Sequence, residues 1–338
     1  MKTIRHTWLA LALGLGLALP SCEKLVFQPV PGGPLQVFDH LWEDVGRRYA
    51  YFELKDIDWT AVRAQYRPMV QEGMSDQALF DVLAELLFEL RDGHVNLTSA
   101  FDRSRNWEWF QDFPENYDQA LVERSYLGRD YQITGPLLNQ IIDSVLYVNY
   151  RTFTATISAA QLDHLMERAR GAKGVIIDVR NNGGGSSLNA YNLAACFAAE
   201  PVVFAYERIK AGPGPAGFSP WKGLTVSPRS GPRYDGRVVV LVNRRTYSAA
   251  TYFAQMMKTL PQAVLLGDQT GGGGGTPVFG ELPNGWTYRF SATQTISPLG
   301  EQLEPGVLPD LSASLDAAQA QQGVDSMIEA ALEWIKRE

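Results

Sequence analysis

The stretch Gly174-Val175-Ile176-Ile177-Asp178-Val179-Arg180-Asn181-Asn182-Gly183-Gly184-Gly185, with the apolar run Ser187 to Ala198 behind it, decides the fold. Gly174 to Val179 is short, continuously apolar and rich in β-branched residues, the pattern of a strand buried on both faces. The glycines end it in a turn, and Ser187 to Ala198 reads as a helix. The pattern returns downstream, with Val238 to Val242 as a second buried strand, Asn243 to Tyr247 as a polar turn and Ala249 to Leu260 as a helix. A further short strand follows at Val264-Leu265-Leu266. Buried strands alternating with helices imply an α/β fold, a mostly parallel β-sheet core with flanking helices.

Upstream of this core, Ala159 to Arg170 reads as a helix and Val145 to Tyr150 as a buried strand, with short strands expected at Leu121-Val122 and Tyr131 to Ile133. Phe38, Leu41, Trp42 and Val45, then Leu79, Phe80, Leu83, Leu86, Leu87 and Leu90, recur at helical spacing, and Ser75 offers a hydroxyl cap to the second run. Residues 36–97 therefore form a small N-terminal helical subdomain and 98–338 the core domain. Downstream, the Pro/Gly-rich segment Ala211 to Pro232 reads as a long surface loop, Tyr288 to Ile296 as a late strand and Val324 to Ile335 as a closing helix.

The chain's 338 residues are 45% hydrophobic and 20% charged, enough to bury a sizeable core. Lys2 and Arg5 precede the apolar run Trp8 to Leu19, closed by Pro20-Ser21-Cys22, the layout of a secretory signal too short to span a bilayer. A cysteine directly after a small residue resembles a bacterial lipobox. Residues 1–21 are then the signal, Cys22 the lipidated first residue and 22–35 a linker, which places the protein in the cell envelope on the periplasmic or outer-membrane side. Net charge is −7, and removing Lys2 and Arg5 makes it −9, against nucleic acid as a partner. Cys22 and Cys196 build no disulfide framework, no Cys/His cluster has zinc-ligand spacing, and Cys196 reads as core.

Glycines between a buried strand and a helix let backbone N–H groups approach a ligand, although such turns also bind phosphates or simply turn. Ser248, at the second strand–helix junction, is either a nucleophile on the positive end of a helix or that helix's N-cap. Asp92 and Arg180 read as structural hydrogen-bonding partners, Lys258 as solvated, and His6, His40 and His164 as incidental. The aromatic run Trp107-Glu108-Trp109-Phe110 reads as packing rather than as a substrate platform.

Four motifs in order resemble one family: Asp92-Gly93-His94-Val95; Asp178 to Gly185; Val240-Leu241-Val242-Asn243 through Ser248; and Gly267 to Gly274 followed by Glu304-Pro305-Gly306-Val307-Leu308-Pro309-Asp310. The family is that of the C-terminal processing, or tail-specific, serine peptidases together with the tricorn protease core. The resemblance runs from Phe38 onward and implies a Clp protease/crotonase-like fold. By it, Ser248 is the nucleophile, the N–H groups of Gly184 and Ala249 hold the oxyanion, and Gly183, Gly185, Gly272 and Gly273 bind substrate. Many relatives carry a lysine base where this chain has Gly273. The tricorn branch uses a histidine and a glutamate at the positions of His94 and Glu304, with a linking serine at the position of Gly93. The resemblance thus makes His94 the base and Glu304 its support. Relatives often insert a PDZ domain of about 80 to 100 residues before the Val145 strand, a normal small-domain size. Only Thr98 to Asp143 is available here, so a full PDZ domain does not fit.

The implied protein is a membrane-anchored serine endopeptidase that cleaves peptides or unfolded protein tails by acyl transfer, without metal or organic cofactor. The alternative is a non-catalytic ligand-binding protein on the same scaffold, as the resemblance to interphotoreceptor retinoid-binding protein modules allows. A crotonase-like enzyme acting on acyl-CoA is disfavoured by export and leaves Ser248 without a role. If Cys22 is the anchor, Cys22→Ala releases a folded protein from the membrane fraction. Unchanged membrane association, with no lipid on Cys22 by mass spectrometry, would refute the anchor.

Overall fold

The computed structural model describes residues 32–212 and 217–337, so the signal, Cys22 and most of the linker lie outside the described residues. The first helix spans Pro34–Arg48 and starts inside the expected linker, because a proline fits the first helical turn, where its missing N–H leaves no bond unmade. Helices Trp59–Tyr66 and Asp76–Phe88 follow, capped by Asp58 and by Ser75, whose hydroxyl accepts from Ala78 N–H. Next come β1 (Asn96–Thr98), β2 (Gln132–Thr134), β3 (Leu137–Ile142), β4 (Val145–Asn149), β5 (Gly174–Asp178), β6 (Val202–Ile209), β7 (Lys222–Val226) and β8 (Val238–Val242). The last strands are β9 (Ala263–Gly267), β10 (Pro277–Glu281), β11 (Thr287–Ser291), β12 (Thr293–Ile296) and β13 (Leu311–Ser312).

The central sheet has seven strands in the order β13-β9-β8-β5-β4-β3-β2. Pairing is parallel from β13 to β4 and antiparallel from β4 to β2, so the sheet is mixed with a parallel core. Side chains alternate across it. Val175, Ile177, Val238 and Val240 face one way, onto helices Ala159–Ala169, Ser187–Ala194 and Ala249–Lys258. Ile176, Val239 and Leu241 face the other way, onto the closing helix Ser326–Lys336 and the turn at residues 122–127. Residues 98–143 hold no separate domain, since β2 and β3 join this sheet.

Two expectations need correcting. Leu121 and Val122 are helical, because Asp118 caps that segment by accepting from Leu121 N–H, and its apolar pair is the buried side of a helical turn. The segment Ala211 to Pro232 is not all loop, because β7 lies within it and pairs with β6, a half-exposed ribbon whose weak apolar content hides it. Two smaller sheets, β1-β11-β10 and β12-β6-β7, carry the edge of the molecule next to the parallel sheet. β11 and β12 form one chain run that changes sheets at Ala292. The N-terminal helices share a core with this layer, where Phe38, Leu41 and Leu83 pack with Trp286, Tyr288 and Phe290.

At the end of β5 the fully buried Arg180 donates to Asp178 through Nε at 3.0 Å and Nη2 at 2.7 Å, and to Asp325 through Nη1 at 3.1 Å. Asp325 also caps the closing helix, accepting from the N–H groups of Met327 and Ile328. The structural role expected of Arg180 is thus its place in the fold. Removing one member of a buried ion network leaves the others unpaired, at about 3–5 kcal/mol. Arg180→Met therefore lowers unfolding free energy by about that amount in urea titration. A loss below about 1 kcal/mol would show the network to be dispensable.

Candidate active site

Ser248 stands between β8 and helix Ala249–Lys258 with φ 58° and ψ −121°, a conformation non-glycine residues rarely adopt. Such strain costs roughly 1–3 kcal/mol and persists only where the surroundings hold it. Here Ser248 N–H donates to Gly272 O at 2.8 Å, and the preceding Tyr247 N–H to Asn182 O at 3.0 Å. Ser248 makes no side-chain cap bond to its helix, which sets aside the N-cap alternative. Its Oγ lies instead 2.9 Å from His94 Nε2.

His94 comes from the turn that joins the N-terminal helices to β1, and Asp92 Oδ1 shapes that turn by accepting His94 N–H at 2.8 Å. His94 is 5% exposed, and its ring packs on that of Tyr247, which stacks on Trp109 at 4.1 Å. Burial pulls the His94 pKa down to about 4; Asp92 opposes the shift while Arg289 and Lys55 add to it. Neutral His94 with its proton on Nδ1 has Ser291 Oγ as a long 3.5 Å partner, leaving Nε2 to accept from the serine. Burial pushes Asp92 up, but Lys55 and then His94 outweigh it and hold the carboxyl below its usual range.

Glu304 is not hydrogen-bonded to His94. Its Oε1 accepts from Lys55 Nζ at 2.7 Å and its Oε2 is buried without a partner among the described residues. Burial, then Asp92, raises its pKa to about 7 against the pull of Lys55. The tricorn-like link is absent for a steric reason: a Cβ at Gly93 would lie 2.5 Å from Trp109 Nε1 and 2.8 Å from the Tyr247 hydroxyl. A lysine at 273 is blocked in the same way, since a Cβ there, at φ 69°, would sit 2.5 Å from Tyr247 Cζ.

The cleft measures about 540 Å³, and Gly183, Gly185, Ser248, Ala249 and Gly273 line it. Gly184 and Gly272 are buried and are not part of that lining. Gly184 N–H is already bonded to Asn182 Oδ1 at 3.0 Å, and the residue matters for what it lacks: a Cβ would lie 2.9 Å from Ser248 Cβ and 3.0 Å from Ala249 N. Gly272 is buried under Glu304 O and holds Ser248 through its carbonyl. Ala249 is the first residue of its helix, so its N–H has no carbonyl one helical turn behind it.

Trp107, Trp109 and Phe110 wall the cleft as well as packing on each other, contrary to a purely structural reading. Lys258 is not simply solvated but pairs with Asp310 at 2.7 Å. Cys196 is core, its thiol pushed up to about 12 by burial. His164 is exposed against Gln132, and His40 borders a separate cavity of about 740 Å³ among the N-terminal helices. Among the described residues no cluster of His, Cys, Asp and Glu could hold a metal.

The family model for peptidase family S41 matches residues 144–313, and that for the tricorn protease C1 domain residues 34–88. A candidate peptidase from Parabacteroides merdae has a crystal structure 37% identical to this chain, covering 90% of it and 98% of the relative with a TM-score of 0.86. The chain belongs to peptidase family S41. The S41 peptidases are serine peptidases, and the carboxyl-terminal-processing protease of Picosynechococcus is 26% identical over 173 residues. That match spans 50% of this chain and 39% of the relative. Mature CPAF bound to lactacystin, 12% identical, shares the fold over 91% of this chain and 98% of its own with a TM-score of 0.66.

Lys55, Ser291 and Arg289 complete this S41 site without any motif around them, and only the fold brings them to His94. Burial holds His94 neutral far below an ordinary histidine, which leaves Nε2 an acceptor for Ser248 on the acid side of pH 6.5. Protonation removes it as pH falls through about 4. Fluorophosphonate labelling of Ser248 should therefore stay near its plateau from pH 8 to about 5 and fall below that. A midpoint near 6.5 would contradict it.

Proposed function

We propose that this chain is a lipid-anchored serine endopeptidase of the cell envelope that cleaves peptides or unfolded protein tails by acyl transfer. One observation carries the reading: a strained, uncapped serine at the positive end of a buried helix, 2.9 Å from a histidine kept neutral by burial. Ser248 Oγ attacks the scissile carbonyl while His94 Nε2 takes its proton. Ala249 N–H and the dipole of its helix stabilise the oxyanion, with Gly183 and Gly185 as the opposing backbone. His94 then hands the proton to the leaving amine, and water, activated by His94, releases the acyl group. Glu304 acts through the field it shares with Lys55 and Asp92, rather than by touching the imidazole. In this reading membrane attachment rests on Cys22 and the lipobox-like sequence before it.

Labelling by a fluorophosphonate, lost in Ser248→Ala, tests the reading. A ligand-binding scaffold has no activated serine, so an unlabelled wild type would favour that alternative. General-base assistance is worth about 10² to 10⁴ in rate, so His94→Ala lowers turnover by that order. Acting as one unit with Ser248, His94 adds little further loss in the double variant His94→Ala, Ser248→Ala. Near-wild-type turnover in His94→Ala would remove His94 as the base.

A further inference from the structure

One carboxylate of the cleft has no task in the acyl-transfer chemistry. Glu207 stands on β6 and lines the cleft together with Ser248, Tyr191, Tyr252 and Leu224. One of its oxygens is fixed, since Oε2 accepts from the hydroxyl of Thr276 at 3.2 Å and from that of Thr293 at 3.1 Å. Among the described residues the other oxygen accepts no hydrogen bond and the group forms no ion pair. Lys222, opposite it on β7, is exposed and does not pair with it. Arg208, next in the chain, is turned to Gln294, Phe218 and Trp221. A carboxylate oriented by two hydroxyls and left without a counter-ion is prepared for a cation.

The walls around it suit a positive charge on an apolar stem. Tyr191 belongs to the helix that follows the glycine turn, and Tyr252 lies one turn beyond Ser248. Both rings pack on Phe204, with centroids 5.5 and 6.3 Å away. Burial first, and then the charge of Glu207, raises the pKa of both phenols, which sets the carboxylate close to both rings. The Tyr252 hydroxyl is engaged elsewhere, with Gly274 O at 2.9 Å and Thr295 Oγ1 at 2.7 Å. Aromatic faces attract cations, and Leu224 offers apolar surface to the methylene groups of a long side chain. Direction comes from the reaction: His94 protonates the leaving amine, so the leaving fragment lies against His94. The acyl fragment, held on Ser248, then extends toward the glycine turn and the helix that carries Tyr191.

We propose that Glu207 binds a positive charge on the acyl fragment of the substrate, either a lysine or arginine side chain or a free amino terminus. The assignment rests on the Ser248–His94 reading, because that reading fixes which side of the cleft holds the acyl fragment.

The test uses short peptides with one constant leaving segment, their products followed by chromatography with mass detection, which also identifies the bond cut. In three of them the amino terminus is acetylated and the residue that supplies the scissile carbonyl is lysine, norleucine or glutamate. A fourth has norleucine there and a free amino terminus. Norleucine keeps the lysine stem and removes its charge. Wild type should cleave the lysine peptide about tenfold to a hundredfold faster than acetylated norleucine in kcat/KM. A gain confined to the free amino terminus identifies the terminal ammonium as the ligand instead. Glu207→Gln should erase the preference, and Glu207→Lys should turn it toward glutamate, a reversal that a misfolded variant would not show. Equal wild-type rates for both cationic peptides and acetylated norleucine, or a preference that survives Glu207→Gln, would overturn the proposal. Fluorophosphonate labelling separates the two levels: labelled enzyme indifferent to the cation refutes only the Glu207 assignment, whereas unlabelled wild type refutes the reading beneath it. In the latter case, equal binding of all three peptides to Ser248→Ala, by fluorescence anisotropy, would still refute a cation site.

Discussion

A guanidinium held dry between two carboxylates is the constraint on which this structure hangs. Three charges taken out of water are tolerable only while their geometry is kept, so Asp178, Arg180 and Asp325 tie the end of β5 and the cap of the closing helix into one rigid corner. Asn243 extends the corner: its Oδ1 accepts from Asn181 N–H at 3.0 Å and its Nδ2 donates to Asn181 Oδ1 at 2.8 Å. The two strand–helix junctions are thereby sewn to each other, and the glycine turn and the serine turn cannot drift apart.

The histidine arrives from the other layer. Its position depends on β1 pairing with β11 and on the Trp109–Tyr247 stack, not on the parallel sheet. The site therefore exists only where the N-terminal helical layer is docked, and its serine is kept in a strained conformation by bonds from the sheet side. Burial around His94 works in two directions at once. It favours a neutral imidazole able to accept a proton, and it favours a protonated Glu304 despite the nearby Lys55.

Much of this could be read in the sequence because the central strands are continuous apolar runs and both functional turns carry glycine or a helix-opening serine. β6 and β7 escaped because an edge ribbon with one wet face has neither a long apolar run nor a clean alternation. Leu121 and Val122 misled because two apolar residues cannot distinguish a strand from the buried side of a helical turn. The motifs pointed to Ser248 and His94, whereas Lys55 and Ser291 meet their partners across 249 and 197 residues and leave no local trace. Gly184 stands beside the serine, and the bond from its N–H to Asn182 is one that spacing alone does not reveal.

The Tyr247 ring has a consequence for how this lineage can change. It fills the space over Gly273, the position at which many relatives carry a lysine base, and walls off a pocket of about 420 Å³ that contains Lys55 and Glu304. A lysine appearing at 273 would collide with the ring, while a smaller residue at 247 would strip His94 of its packing before any replacement base existed. Each single step is disfavoured, and even without the ring a lysine at φ 69° would be strained. With His94 as the proposed base, a lysine at 273 is thus excluded twice, by one aromatic ring and by the backbone conformation beneath it.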